Sequence, residues 1–179
     1  MWVFAYGSLM WRPGFDYVEV RPALLRGYHR ALCVYSHIHR GTPECPGLVL
    51  GLDRGGSCRG VAFRVEPDKA EEVMEYLYAR EMMNFVYHPR FQHVSLPDGP
   101  VKAHMFVVDR SHRQYAGKLS DRRTVDMILQ GDGKSGKCFA YVENTVEHLD
   151  ELGIPDRRLH RVLRMARDRR SSAAARRSA

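Results

Sequence analysis

The chain has 179 residues, of which 44% are hydrophobic and 27% charged, and 28 Lys and Arg against 21 Asp and Glu give a net charge of +7. That length suits one domain with a sizeable core, and no apolar run approaches the roughly 20 residues of a membrane span, which argues against a transmembrane helix. The charge is unevenly placed: residues 157–179 hold nine Arg and one Asp, leaving 19 cationic against 20 anionic side chains in a nearly neutral body of residues 1–156.

Trp2-Val3-Phe4-Ala5-Tyr6 reads as a strand rich in β-formers that runs into Gly7-Ser8-Leu9-Met10 and a Trp11-Arg12-Pro13 turn. Gly7 removes the Cβ that would keep a ligand off the main chain, and closely spaced N–H groups at such a bend suit a carboxylate or a developing oxyanion. An ordinary β-turn accounts for the same residues. Further strands are expected at about 28–35, 47–52, 58–65, 85–96 and 101–108, with Asp53–Ser57 as a hairpin turn and Pro97–Pro100 as a second turn.

A helix over about 68–80 starts at Pro67-Asp68 and lines up Ala70, Val73, Met74 and Leu77. Glu81 follows it, one turn beyond Leu77. It reads either as an exposed helix-end carboxylate paired with Arg80 or a downstream base, or as a partly desolvated carboxylate with a raised pKa suited to acid–base work. A second helix opens with Ser120 as N-cap and stops at Gly131. The third, from about 137 to 152, places Val142, Thr145, Leu149 and Leu152 on one side before Gly153. A short fourth helix starts near Asp156 and buries Leu159, Val162 and Leu163. Residues 1–163 are expected to form one domain of α+β class, strands first and helices later, with 164–179 as a solvated, mobile Arg/Ser/Ala tail. No aromatic residues interleave with these arginines, so nucleic acid is not an expected partner beyond weak electrostatic contact of the tail.

Several motifs fail on context. Gly131-Asp132-Gly133-Lys134-Ser135-Gly136-Lys137 matches the phosphate-loop string, but Cys138 stands where a magnesium-binding hydroxyl is needed and a helix, not a strand, precedes it. It reads as a connector between helices. Ser8 lacks the elbow of a serine hydrolase, because Tyr6 and Met10 occupy the flanking glycine positions. Cys33, His37, His39 and Cys45 carry zinc-compatible donors at a spacing that fits no common finger. The four cysteines form no C-x-x-C pair, and with no signal-peptide pattern at the start a cytoplasmic location with reduced thiols is expected.

Trp2–Trp11, followed about 70 residues on by Tyr76-Leu77-Tyr78-Ala79-Arg80-Glu81-Met82, resembles the ChaC-like γ-glutamylcyclotransferases, as do Cys138–Thr145 and Leu149–Asp156 near the end. The likeness spans nearly all of residues 1–163, with Ala5 where Gly is common and Met10 where Ile or Leu is common. It implies a small mixed, mostly antiparallel barrel flanked by helices, with the first strand-turn and Glu81 facing one cavity. It also implies a small-molecule substrate, glutathione or a related γ-glutamyl compound, released as 5-oxoproline and cysteinylglycine or another amine, with no metal or cofactor. On that resemblance Glu81 is the general acid/base, and Tyr6, Gly7, Ser8, Leu9, Met10 and Tyr141 are substrate-binding. A cyclotransferase for other γ-glutamyl amines or amino acids, or a non-catalytic regulatory protein on the same fold, are the alternatives.

Overall fold

In the computed structural model, which describes residues 1–82 and 84–177, five strands close into a barrel with the neighbour order β1-β3-β2-β4-β5. They are β1 (Trp2–Ala5), β2 (Glu19–Ser36), β3 (Gly47–Arg64), β4 (Tyr87–Leu96) and β5 (Gly99–Val108). β1 lies antiparallel to β3, with Phe4 opposite Ala62, and parallel to β5, with Trp2 opposite Ala103. β4 and β5 form an antiparallel hairpin that turns at Pro97-Asp98, Leu96 facing Gly99. This is the mixed, mostly antiparallel barrel that the resemblance implies.

The chain divides into two compact units, Met1–Ala31 with Leu50–Tyr115, and Leu32–Val49 with the chain from Ala116 on. In the first unit the period-two alternation of a strand sends Ala103, Met105 and Val107 of β5 to one face, where they join Phe4, Leu25, Leu52, Ala62 and Val94 in a single core. Helix α1 (Ala70–Glu81) also belongs to this unit. Pro67 opens the 3-10 turn ahead of it, Glu71 and Glu72 stand in its first turn and Arg80 in its last, all placed as the helix dipole favours. Its Val73 and Leu77, four residues apart, are buried.

In the second unit, α2 (Asp121–Gln130), α3 (Cys138–Glu151) and α4 (Arg157–Arg177) pack on one another. Ser120 caps α2 by accepting from the Arg123 N–H at 3.3 Å, and Gly153 takes the left-handed conformation (φ 64°) after α3. Val125, Ile128, Val142, Thr145, Leu149, Leu159, Val162 and Leu163 are buried as their spacing requires, whereas Leu152 is exposed.

Three expectations need correction. The strand at 28–35 begins much earlier, at Glu19, although Pro22 and Gly27 interrupt the pattern of β-formers. No hairpin forms at 53–57. Instead β3 runs unbroken from Gly47 to Arg64, with Gly55 (φ 95°) and Gly56 (φ 71°) bending it and His29 Nδ1 at 2.9 Å from the Gly55 carbonyl. Two glycines at positive φ serve a tight turn or a strand bend equally well, so the neighbouring strand decides which forms. The fourth helix is not short: it passes 163 without a break and reaches Arg177. Ala166 is fully buried, Arg167 bonds Glu143 at 2.9 Å, Arg169 pairs with Asp126, and the Arg170 guanidinium lies 3.9 Å over the Phe139 ring. An Ala/Arg-rich sequence favours helix, and acidic partners on α2 and α3 hold it. Residues 178 and 179 of the expected tail lie outside the described residues.

The phosphate-loop string is a connector, as its context suggests, folded into a two-residue ladder of β6 (Asp132–Gly133) and β7 (Gly136–Lys137). A Cβ added at Gly131 would sit 2.4 Å from the Arg40 carbonyl oxygen, and one at Gly133 2.5 Å from the Gly41 nitrogen and the Ile38 oxygen. Lys134 N and Ser135 N donate to the carbonyls of Ile38 and His39 at 2.7 and 2.9 Å. These glycines let two stretches of main chain touch.

Candidate active site

The site is built where β1 ends. The Tyr6 carbonyl accepts from Arg30 Nε, whose Nη2 also reaches the Arg59 carbonyl at 2.7 Å, so the strand exit is tied to β2 and β3. Ser8–Met10 then form a 3-10 turn, with Met10 N on the Gly7 carbonyl at 2.8 Å and Arg12 N on the Ser8 carbonyl at 2.9 Å. The first N–H groups of any such turn, here those of Ser8 and Leu9, have no acceptor within it. Leu9 and Met10 bury their side chains, which anchors the turn and leaves main chain as what they can present. A Cβ at Gly7 would meet Leu50 Cδ1 at an ordinary 3.7 Å, so packing alone does not demand glycine there.

The last turn of α1 supplies the counterpart. Arg80 Nη1 donates to the Arg12 carbonyl at 2.7 Å and to the Tyr76 hydroxyl at 2.9 Å, with the Pro13 carbonyl at 3.4 Å, and Nη2 donates to Ser8 Oγ at 3.1 Å. Its Nε lies 3.2 Å from Glu81 Oε1. Ser8 and Glu81, 73 positions apart in sequence, are therefore joined by one guanidinium. The Glu81 side chain is only 21% exposed. Burial pushes its carboxyl above the ordinary value, and the charge and hydrogen bond of Arg80 pull it back without cancelling the rise. Both sequence readings of Glu81 hold in part: it pairs with Arg80, and it is desolvated.

Gly14 completes the frame at φ 73°, where a Cβ would fall 2.0 Å from the Tyr76 hydroxyl. Gly14→Ala is expected to lower stability by about 2 kcal/mol or more, from a side chain in the left-handed region plus displacement of Tyr76. Urea unfolding would measure this, and a change within ~0.5 kcal/mol, as for an ordinary surface site, would contradict it.

Of the other residues singled out in the sequence, Tyr141 stands on α3 in the second unit, with the Arg40 guanidinium 5.2 Å over its ring. Cys33 is buried and Cys45 exposed, and His39 Nδ1 is 2.9 Å from Ser135 Oγ. Among the described residues, no group of three or more His, Cys, Asp or Glu is arranged to hold a metal ion. Sequence reasoning passed over Arg80, Tyr76 and Gly14 as parts of the site. The four-residue spacing of Tyr76 and Arg80 on one helix face was a usable signal, but the loop acceptors of Arg80 are visible only in three dimensions.

Residues 1–169 match the family model described as ChaC-like protein. The chain is 34% identical over 164 residues to the glutathione-specific gamma-glutamylcyclotransferase of Escherichia coli strain K12, covering 91% of this chain and 71% of that one. It is 32% identical over 158 residues to the human glutathione-specific gamma-glutamylcyclotransferase 1, covering 86% and 71%. Among solved structures, the yeast gamma-glutamyl cyclotransferase specific to glutathione superposes with a TM-score of 0.85 at 22% identity, covering 94% of this chain and 96% of that one. At that identity the structural likeness speaks to the fold.

Proposed function

This chain belongs to the ChaC-like family, and we infer that it is a glutathione-cleaving γ-glutamylcyclotransferase in which Glu81 carries the protons. The observation that supports this role is the arrangement of the strand exit: one guanidinium bonds both the hydroxyl of Ser8, in the turn that follows β1, and the desolvated carboxylate of Glu81.

The reaction needs no nucleophile from the protein. The α-amino group of the γ-glutamyl residue attacks its own γ-carbonyl, closing a five-membered ring as the bond to the cysteine nitrogen breaks. Holding the chain folded for such an attack is worth an effective molarity on the order of 10⁵ M or more. Glu81 takes a proton from the α-ammonium so that nitrogen has a lone pair, and later gives a proton to the departing nitrogen. No water is consumed, and the products are 5-oxoproline and cysteinylglycine. The main chain of Tyr6, Gly7, Ser8, Leu9 and Met10, with the Ser8 hydroxyl, holds the γ-glutamyl head, and Gly7 leaves room for its approach. N–H donors aimed at the carbonyl oxygen stabilise the oxyanion that develops as the ring closes. These steps use residues of the first unit alone.

The substrate is a small molecule, and no helix among the described residues is long and apolar enough to cross a membrane. A cytoplasmic setting fits the four cysteines, Cys33, Cys45, Cys58 and Cys138, none of which is in a disulfide. Incubation with reduced glutathione and, in parallel, γ-glutamyl-alanine, with mass detection of products, tests the reading. 5-Oxoproline and cysteinylglycine from glutathione are expected. 5-Oxoproline from γ-glutamyl-alanine alone would reassign the substrate, and none from either would overturn the activity.

A further inference from the structure

We propose that Arg80 is the positioning residue of this site, a single guanidinium that sets the Gly7–Pro13 loop and the Glu81 carboxylate in one fixed arrangement. The inference rests on the reading of Glu81 as the proton carrier and adds a role to a residue that does not itself touch the reacting atoms.

A donor count supports it. A guanidinium has five N–H groups. Two on Nη1 serve the Arg12 carbonyl and the Tyr76 hydroxyl, one on Nη2 serves Ser8 Oγ, and Nε–H faces Glu81 Oε1. One N–H on Nη2 is left over among the described residues. Gripping a substrate carboxylate through two parallel bonds takes two adjacent donors, so Arg80 is committed to the protein rather than to the ligand. Four of its acceptors (Ser8, Arg12, Pro13 and Tyr76) are neutral, and among the described residues the one anion it meets is Glu81. Its charge is therefore spent on the carboxylate and its shape on the loop.

Two consequences follow from separate properties of the same side chain. The planar fork spans acceptors that a lysine ammonium cannot reach together, so loop order depends on arginine itself. The positive charge opposes the rise that desolvation causes in the Glu81 carboxyl, so the fraction of Glu81 able to act as a base depends on charge, which lysine retains.

Arg80→Lys and Arg80→Gln separate the two in steady-state kinetics with glutathione across pH, with folding checked by thermal unfolding. Loss of the loop contacts should raise KM about tenfold or more in both variants. In Arg80→Gln the acidic limb of kcat should also move to higher pH by about one unit, while in Arg80→Lys it stays near wild type. An unmoved limb in folded Arg80→Gln, or an unchanged KM in both, overturns the proposal, since general loosening of the fold would cut the active fraction without moving a limb. If Arg80→Gln does not fold, Arg80→Lys decides alone: a raised KM with kcat within about threefold supports the proposal, and an unchanged KM overturns it. Unimpaired turnover by Glu81→Gln would instead strike down the proton-carrier reading, whatever the Arg80 variants do.

Discussion

Glu81→Gln is expected to lower 5-oxoproline formation from glutathione by about 10²–10⁴-fold, with an unfolding temperature close to that of the wild type. The amide has the shape of the carboxylate and keeps an oxygen for the Arg80 Nε–H, 3.2 Å away in the native protein. It cannot take a proton from the substrate ammonium. Residual turnover should persist, because the turn at Gly7–Met10 still folds the substrate for ring closure. In the wild type the base acts only when ionised, and burial raises its carboxyl above the usual 4.5, so activity should fall on acidification at a higher pH than an exposed glutamate would give. Product release by the purified variant, followed by mass detection beside a thermal melt, checks this. A folded variant working at near wild-type rate would remove Glu81 from the chemistry.

The second large effect concerns stability. His104 on β5 is fully buried, and neither ring nitrogen has a hydrogen-bond partner among the described residues. Its neighbours are rings: Phe106 and Phe91 edge-on at 4.9 and 5.0 Å, and Tyr78 at 6.0 Å. Desolvation lowers its pKa from 6.5 to about 4. The unfolded chain therefore binds a proton at this histidine below pH 6.5 that the folded chain refuses until about pH 4. The contribution of the neutral imidazole is complete above 6.5 and drains away as pH falls through that window, by on the order of 3 kcal/mol. His160 works in the opposite sense: its pKa is raised by the Asp156 carbonyl and by Asp150, so its contribution is present at low pH and lost as pH rises through the folded value. Comparing wild type with His104→Phe cancels that and every other shared titration. The variant should lose this share of the acid sensitivity and gain stability at every pH, since two unsatisfied buried nitrogens disappear. Urea unfolding from pH 4 to 7 measures both. Parallel stability curves for the two proteins would show that His104 is not the titrating group.

The helices and the first strand could be read from local chemistry. Ser120 and Gly153 mark helix ends with groups that satisfy or release the local backbone, and Leu77 and Glu81 are one helical turn apart whatever the rest of the chain does. Asp53 shows where such reading stops. Within Asp53-Arg54-Gly55-Gly56-Ser57 it looks like a turn residue, yet it is 6% exposed in a continuous strand. There it accepts Arg110 Nε at 2.6 Å, the Tyr115 hydroxyl at 2.9 Å and the Arg54 N–H at 2.8 Å. Those contacts hold its pKa below the usual value despite burial. Two of the three partners lie about 60 positions away, outside any local window. The arginine-rich end shows the same limit: its arginines are exposed, as a charge run suggests, but that it continues α4 with Arg167 and Arg169 opposite Glu143 and Asp126 is visible only in three dimensions.

By itself the sequence determined the strand that delivers Tyr6-Gly7-Ser8, the helix that ends in Arg80-Glu81, and a pattern that identifies the ChaC-like family, because each rests on residues near one another in the chain. Only the tertiary structure decided that Arg80 reaches back 72 positions to Ser8 and 68 to Arg12, and that Glu81 is desolvated enough for its carboxyl to rise. Burial and long-range hydrogen bonds depend on which surfaces meet when the barrel closes, and periodicity within one segment carries no record of that.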